Sequence, residues 1–244
     1  MERKILEISG SERLHFLQGL VTNDVMRTRD GPVYAALLTP QGKFIVDFFL
    51  IAHGDNILVD VAAPFAAALA QRLNMYRLRA DVVIGESPLT VSRGTGKAPD
   101  GAVTDPRHKA LGWRLYSDAS LADDTDWDAI RVAHTIPETG IELTPDTYIL
   151  EAGFERLNGV DFRKGCYVGQ EITARMKHKT ELKKGLVSLD ITGSAPVGSP
   201  VTTGAGKPAG TLFTQSGGRA LAHLRFDRAT GPMRAGDATL TWTP

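Results

Sequence analysis

The sequence predicts an α+β protein that ends in a small β-barrel or sandwich. Helical and strand patterns alternate through residues 1–85, a stretch with Gly and Pro interrupts them at 93–108, and short apolar runs begin after Gly185. Short runs separated by Gly and Pro turns are typical of small barrels and sandwiches. The 244 residues suffice for one large domain or for two to three small ones.

The first 85 residues predict a compact unit of sheet and helix. Ser9 or Ser11 can cap a helix that runs to about Leu20, because apolar residues recur on one of its faces. A second helix, rich in Ala and Leu, is expected at 64–76 and a strand at 80–84. Between the two helices, three runs predict an antiparallel meander, at 33–38, 43–51 and 57–61.

The rest of the chain predicts fewer helices and more strands. A helix is expected from near Gly169 to about Lys179, because Gly165 and Gly169 permit a tight turn before it and Glu171 favours its first turn. Before it lie a short strand at 111–116, a helix at 126–134 and a connection at 137–145. After it lie strand-like runs at 186–191, 200–203, 210–214, 220–226 and 238–243.

The composition argues against several classes of protein. Lys and Arg together number 28, as do Asp and Glu, so no global field attracts nucleic acid or an anionic membrane. A charged start and the lack of a run of about 18 apolar residues predict a soluble, cytoplasmic protein. One cysteine excludes a disulfide framework and cannot house an iron–sulfur cluster, so we expect no metal bound by this chain alone. Walker, dinucleotide, zinc-histidine and nucleophile-elbow motifs do not occur in the sequence.

The single cysteine, Cys166, is the first candidate for chemistry. It follows Lys164 by two residues at the expected start of a helix, so the ammonium and the helix dipole should lower its pKa from about 8.5. A lowered pKa makes a thiol nucleophilic or metal-binding. The alternative is a small buried hydrophobe packed beside Tyr167 and Val168.

A lone carboxylate in an apolar strand is the second candidate. In the run 44–51, both faces of the expected strand are apolar except for Asp47. A carboxylate in such a place needs a partner, and burial would raise its pKa. Either it has a structural partner, for which Arg77 and Arg79 are available, or it is reserved for a polar ligand in an apolar pocket.

A basic segment surrounds and follows the cysteine. Residues 163–184 hold seven basic and two acidic side chains, a local charge of +5 in a neutral chain. Such a segment can hold phosphates or carboxylates, or it can be a solvated helix face. Aromatic residues are sparse in it, so a stacking platform for nucleic acid is not indicated. The basic residues are Arg163, Lys164, Arg175, Lys177, Lys179, Lys183 and Lys184.

An octet at 164–171, KGCYVGQE, is the most specific motif in the chain. Weaker motifs accompany it: FLQGL at 16–20, TNDV at 22–25, LLTPQGK at 37–43, YRLRA at 76–80, DPR at 105–107, LGWR at 111–114 and ALAHLR at 220–225. Together these stretches, which span essentially the whole chain, resemble the YgfZ-type folate-binding proteins. Those are relatives of the glycine-cleavage T-protein (aminomethyltransferase), and their mitochondrial counterparts assist iron–sulfur cluster assembly.

The resemblance implies a three-domain, cloverleaf-like arrangement around a central opening, with tetrahydrofolate as the ligand. It divides this chain into a folate-binding α+β domain at 1–85 with 145–180, a smaller α+β domain at 86–144 and a β-barrel domain at 181–244.

The resemblance also implies roles for particular residues. Cys166 would supply a thiolate, Lys164 would tune it, and Asp47 falls where the T-protein has its catalytic acid. The basic residues would attract the carboxylates of a folate tail. The folate contacts it implies are Asn23, Asp47, Tyr76, Arg77, Arg79, Tyr167, Gln170 and Glu171.

Three functions are open to such a chain. The favoured one is a tetrahydrofolate-binding accessory factor for iron–sulfur cluster assembly or repair, with scaffold or client proteins as partners. The second is an aminomethyltransferase-like enzyme that uses Asp47 as acid or base. This chain, however, has Val46 where the T-protein has a second acid, and LGWR at 111–114 where a GYTGE segment is expected. The third is a factor that binds RNA through 163–184 and affects tRNA modification.

Overall fold

The computed structural model describes residues 1–179 and 181–243, without the side chain of Lys179. The chain forms two compact units. The first comprises Met1–Thr125 and Glu155–Ile172, and the second comprises Asp126–Phe154 and the described residues from Thr173 onward. None of the described helices has the length and apolarity that crossing a bilayer requires.

A five-stranded sheet forms the framework of the first unit, among the residues described. Its strands are β1 (Arg3–Ser9), β2 (Val33–Leu38), β3 (Phe44–His53), β4 (Asn56–Ala62) and β5 (Val83–Glu86). They lie in the order β2-β3-β4-β1-β5 with antiparallel neighbours, so the predicted meander is confirmed as β2 to β4. β1 was not predicted, because its charged residues mask the buried side chains of Ile5, Leu6 and Ile8.

Helices cover one face of this sheet. They are α1 (Arg13–Gln18) and α2 (Ala63–Arg77), close to the predicted spans. Ser11 does not cap α1 as predicted, because its hydroxyl donates a hydrogen bond to Asp81 at 2.6 Å. The apolar core between α2 and β3 includes Ala66, Leu69, Leu73, Val46, Phe48 and Leu50.

The first unit also contains a small antiparallel sheet. Its strands are β6 (Thr90–Gly94), β7 (Val103–Thr104) and β8 (Trp113–Ser117), in the order β6-β8-β7. The stretch 93–108, where Gly and Pro predict a loop or a change of domain, holds β7 and the end of β6. Gly112, at φ +62°, must be glycine because an added Cβ would lie 2.1 Å from the Gly94 carbonyl oxygen.

The second unit is a closed barrel with a helix packed against it. Helix α3 (Trp127–His134) is capped by Asp126, whose carboxylate accepts a hydrogen bond from the Ala129 amide at 2.9 Å. Buried Arg131 of α3 pairs with Glu142, which also accepts a hydrogen bond from Thr214 of the barrel. The barrel strands are β9 (Lys184–Thr192), β10 (Pro200–Thr203), β11 (Pro208–Ser216), β12 (Arg219–Arg225), β13 (Met233–Ala235) and β14 (Ala238–Thr241). Helix α3 packs against β9, β11 and β12.

The α+β class and the C-terminal barrel are confirmed, and one barrel strand, β13, was missed. The boundary between Ile172 and Thr173 falls within α4 (Gln170–Lys179), which begins one residue later than predicted. The three-domain division stays a prediction, and the compact units described above place both sheets in the first.

Candidate functional site

Asp47 lies buried on the face of the five-stranded sheet opposite α2. Tyr34, on the neighbouring strand β2, donates a hydrogen bond from its hydroxyl to Asp47 Oδ2 at 2.8 Å. Burial raises the pKa of Asp47, although Arg3, the Tyr34 hydroxyl and Arg107 each act to lower it. The carboxyl group can therefore hold a proton at a higher pH than an ordinary aspartic acid can.

The predicted arginine partners of Asp47 were wrong. Arg77 ends α2, on the other side of the sheet, and its guanidinium donates to the Val82 carbonyl at 3.0 Å. Arg79 is exposed just beyond that helix. The cations that act on Asp47 are Arg3 and Arg107, which are distant from it in sequence.

A cluster of buried ion pairs lies on the same sheet face. Asp60 accepts hydrogen bonds from Arg114 and, at 2.6 Å, from Arg3. Asp105 pairs with both nitrogens of the Arg107 fork, at 3.0 and 2.8 Å, and with Arg114 at 3.3 Å. Burial would raise the pKa of Asp105, but Arg107 and Arg114 lower it to about 2. We call Arg3, Asp60, Asp105, Arg107 and Arg114 the charge cluster.

Phe49 is the apolar centre of this cluster. It stands opposite Tyr34 on one side and opposite Asp60 on the other in the strand register. The guanidinium carbons of Arg114, Arg107 and Arg3 lie 4.0, 4.8 and 5.5 Å from the centroid of its ring. Cations at such distances are attracted by the ring quadrupole, so Phe49 helps to keep three positive charges in a buried place.

The grouping of the charge cluster could not be predicted from the sequence. Asp60 carries the same signal as Asp47, a carboxylate in the apolar run ILVDVA at 57–62. The arginines that pair with it come from β1 and β8, and only the tertiary fold brings those strands to β4.

A cavity of about 270 Å³ borders Tyr34 and Pro106. Asn23 lines it, and both hydrogens of its amide are used within the protein, on the carbonyls of Tyr34 at 2.8 Å and Asn158 at 2.7 Å. Arg27 also lines it, with 60% of its side chain exposed. Asn23 thus joins two walls of the cavity, and the charged residues of its lining are Asp30 and Arg27, whose guanidinium lies 3.9 Å from the carboxylate of Asp161.

Residues 164–169 of the octet form a loop before α4, which we call the octet loop, and Gly165 and Cys166 are its exposed residues. Cys166 is exposed, so the alternative of a buried hydrophobe is wrong. The expected place at a helix start is also wrong, because a turn intervenes in which the Gln170 amide donates to the Tyr167 carbonyl at 3.2 Å. The thiol is therefore accessible, and α4 begins four residues after it.

Lys164 ties this loop to the end of α1. Its ammonium donates to the backbone carbonyls of Gln18 at 2.5 Å and Val21 at 2.7 Å, and lies 4.9 Å from the ring centroid of Tyr167. Partial burial lowers the pKa of Lys164 to about 8, while nearby acidic groups, Cys166 among them, act to raise it. Anchoring the loop is thus the role of Lys164 that the contacts show, and tuning of the thiol stays a prediction.

Two glycines bring the octet against the LLTPQGK turn. A Cβ on Gly169, at φ +83°, would lie 2.5 Å from the Thr39 carbonyl oxygen. A Cβ on Gly42, at φ +73°, would lie 2.8 Å from Cβ of Ile172. Two motifs far apart in the sequence therefore meet at close range, and both require glycine there.

The other predicted folate contacts fall into two groups. Tyr167 is buried in the octet, and Gln170 and Glu171 occupy the first turn of α4. Tyr76, Arg77 and Arg79 belong to the end of α2, and the structure does not bring them to Asp47.

The basic segment is largely solvated where it is described. Arg163, Arg175, Lys177 and Lys183 are exposed. The side chain of Lys179 falls outside the described residues. In the second unit, Lys184 lies 3.4 Å from buried Glu151, which is also 3.3 Å from Nε2 of His223 in the ALAHLR motif.

The chain resembles known proteins along most of its length. Residues 183–244 match the family model described as the CAF17 C-terminal beta-barrel domain. The mitochondrial iron-sulfur cluster assembly factor IBA57 of Mus musculus is 29% identical, over 95% of this chain and 78% of that protein. The human protein of the same name is 28% identical with the same coverage. The solved aminomethyltransferase T of the Bartonella henselae glycine cleavage system aligns with a TM-score of 0.77 at 12% identity, over 98% of this chain and 81% of that one.

The fold is therefore that of the glycine-cleavage T-protein, with a C-terminal barrel of the CAF17 type. The resemblance stated from the sequence is confirmed: the chain is similar to the IBA57 proteins along most of its length, and it shares the T-protein fold and a CAF17-type barrel. The prediction of a cytoplasmic location is contradicted by the names of these relatives, which are mitochondrial. The charged first residues, on which that prediction depended, do not report the compartment.

Proposed function

We propose that this chain is a tetrahydrofolate-binding accessory factor for assembling or repairing iron–sulfur clusters in client enzymes. The observation that carries the proposal is the exposed Cys166, in an octet fixed against a second motif, in a relative of proteins named as cluster assembly factors. An accessible thiolate can ligate a metal or attack an electrophilic carbon or sulfur atom. Assembly scaffolds and client proteins are its proposed partners.

The cavity beside Tyr34 is the proposed place of the pterin ring. Its volume of about 270 Å³ suits a bicyclic head group better than a whole folate. Asn23, Tyr34 and Asn158 line its wall, and the hydrogen bonds that they make within the protein fix the shape of this wall. Arg27 is placed to attract the carboxylates of the tail outside. Tetrahydrofolate, when it is bound, carries one-carbon units.

In the proposal, Asp47 affects the cavity indirectly, by holding the Tyr34 side chain that lines it. The carboxyl group accepts the Tyr34 hydroxyl hydrogen bond, and Tyr34 lines the cavity whereas Asp47 does not. Asp47 is therefore a positioning residue that fixes the orientation of the Tyr34 ring. Arg107, which pairs with Asp105 and lies 5.4 Å from the Tyr34 ring centroid, supports the same ring.

The fold shared with the solved aminomethyltransferase T favours one alternative, an aminomethyltransferase-like enzyme in which Asp47, whose pKa is raised by burial, would act through the Tyr34 hydroxyl to which it is bonded. The test is incubation of the purified chain with a labelled aminomethyl-lipoyl carrier protein and tetrahydrofolate. Label transferred to the folate would support it, and absence of turnover would eliminate it.

The proposal is tested by replacing Cys166 in the native cell. Cys166→Ala and Cys166→Ser remove the thiolate, and Ser preserves the size of the side chain, so both should lower the activities of cluster-containing enzymes to the level of a deletion strain. Immunoblots at equal abundance and enzymes without clusters are the controls. Undiminished cluster-enzyme activity in both variants would contradict a role for the thiol.

A further inference from the structure

We propose that the C-terminal end of α2 is a docking surface for an acidic, partly apolar segment of a protein partner. The surface comprises Arg72, Met75, Leu78, Arg79 and the groove beside Met75, and we call it the α2 surface. It lies in the first unit and does not depend on the folate site or on the thiol.

Exposed apolar side chains are the first observation. Met75 is 72% exposed and Leu78 is 85% exposed. Among the large apolar side chains that the structure describes, these two exposed fractions are the highest, and the residues are three positions apart. Single exposed apolar residues are common, whereas a contiguous apolar patch marks an interaction site, and Met75 and Leu78 are both exposed at the C-terminal end of α2.

The backbone of Leu78 is the second observation. Leu78 follows α2 with φ 48° and ψ −108°, a region that bulky residues rarely occupy. The adjacent Arg77 donates to the Val82 carbonyl at 3.0 Å, which holds the turn in place. Leu78 thus combines a rarely occupied backbone conformation with a side chain that is 85% exposed.

A groove next to Met75 is the third observation. It has a volume of about 210 Å³ and lies between β3 and α2. Buried Val46 and Leu69 line its inner part, and half-buried Ile45 and Phe65 contribute to its walls. A large apolar side chain from a partner could be inserted there, whereas a lipid surface, being broad and fluid, fills such a narrow groove poorly.

Charge identifies the kind of partner. Residues 63–81 contain three arginines and one acidic residue, Asp81, which accepts a hydrogen bond from the Ser11 hydroxyl, so the local charge is +2 in a neutral chain. Arg72 lines the groove, and both Arg72 and Arg79 are exposed. Carboxylates beside the inserted apolar side chain would complement these arginines and would guide the encounter.

A displayed library of random 16-residue peptides, selected against the full chain, tests the proposal. We expect enriched peptides that combine Asp or Glu with a large apolar residue. Their binding should weaken by about tenfold or more in Met75→Ser and in the double variant Arg72→Glu with Arg79→Glu. Leu78→Gly should weaken it as well while raising the unfolding midpoint, because glycine relieves the backbone strain.

Val197→Ser is the matched control, because Val197 is 56% exposed in the second unit and its variant should bind the peptides as the unchanged chain does. The proposal is overturned if the selected peptides bind Met75→Ser equally well, or if they are neutral or basic. It is also overturned if phosphatidylserine vesicles bind through Met75 and Leu78 while no peptide does.

Discussion

The charge cluster and the octet loop are held in opposite ways. In the charge cluster, buried carboxylates and guanidiniums satisfy one another across strands that are remote in sequence. In the octet loop, the reactive group is exposed and the backbone is fixed by glycines and by the anchor from Lys164. The ion pairs of the charge cluster hold buried strands together and contribute to stability. The sulfur of Cys166, in contrast, is exposed at the surface. Substitution of Asp60 should therefore lower stability, whereas substitution of Cys166 should impair function and leave stability nearly unchanged.

The largest effect on stability is expected for Asp60→Ala. The change leaves Arg3 and Arg114 buried without their shared carboxylate, which should lower the free energy of unfolding by about 3–5 kcal/mol. Urea denaturation measures it, with Asp55→Ala in an exposed turn as the control. A loss below about 1 kcal/mol would mean that the pairs in the charge cluster do not depend on Asp60.

Alanine substitutions at the two glycines of the octet should differ in how much they lower the free energy of unfolding. Gly165 and Gly169 both have positive φ, but an added Cβ meets nothing within 4 Å at Gly165 and the Thr39 carbonyl at Gly169. Gly169→Ala should therefore cost about 1–3 kcal/mol more than Gly165→Ala in urea denaturation. Equal losses would show that the close approach to the LLTPQGK turn does not hold the loop.

A smaller effect on stability, which depends on pH, is expected for the Lys164 ammonium that anchors the octet loop. Lys164 has its pKa lowered to about 8 in the folded chain, so between about pH 8 and 10 the unfolded chain binds more protons and stability rises with pH. Relative to Lys164→Met, the unchanged chain should gain less than about 1 kcal/mol over this range, because solvent screens a partly exposed ammonium. A difference that stays constant or falls with pH would contradict the partial burial.

The smallest effect on stability is expected at the thiol itself. Cys166 is exposed, so Cys166→Ser should change the free energy of unfolding by no more than about 0.5 kcal/mol. Thermal and urea unfolding of the purified variant measure this, alongside the cluster-enzyme assays in cells. A strongly destabilised variant would remove the contrast between the two regions.

The same contrast explains what the sequence could predict. The octet is a local motif, and local pattern also identified the meander, α2 and the barrel. For Asp47, the strand pattern correctly predicted burial and a raised pKa, but not the partners, because Tyr34 lies across a strand pair and Arg107 beyond the sheet. The charged residues within Met1–Gly10 interrupt its apolar pattern, so β1 could not be predicted from it. Pairings over long sequence separations carry no periodic signal, so the charge cluster emerged only from the fold.

Calorimetric titration of tetrahydrofolate into the purified chain and into Asp47→Asn tests the proposed function most directly. We predict saturable binding to the unchanged chain and about tenfold weaker binding to Asp47→Asn, because the amide alters the hydrogen bond that orients Tyr34 at the cavity. No binding to the unchanged chain, or equal affinity for both, would contradict a folate site at this cavity.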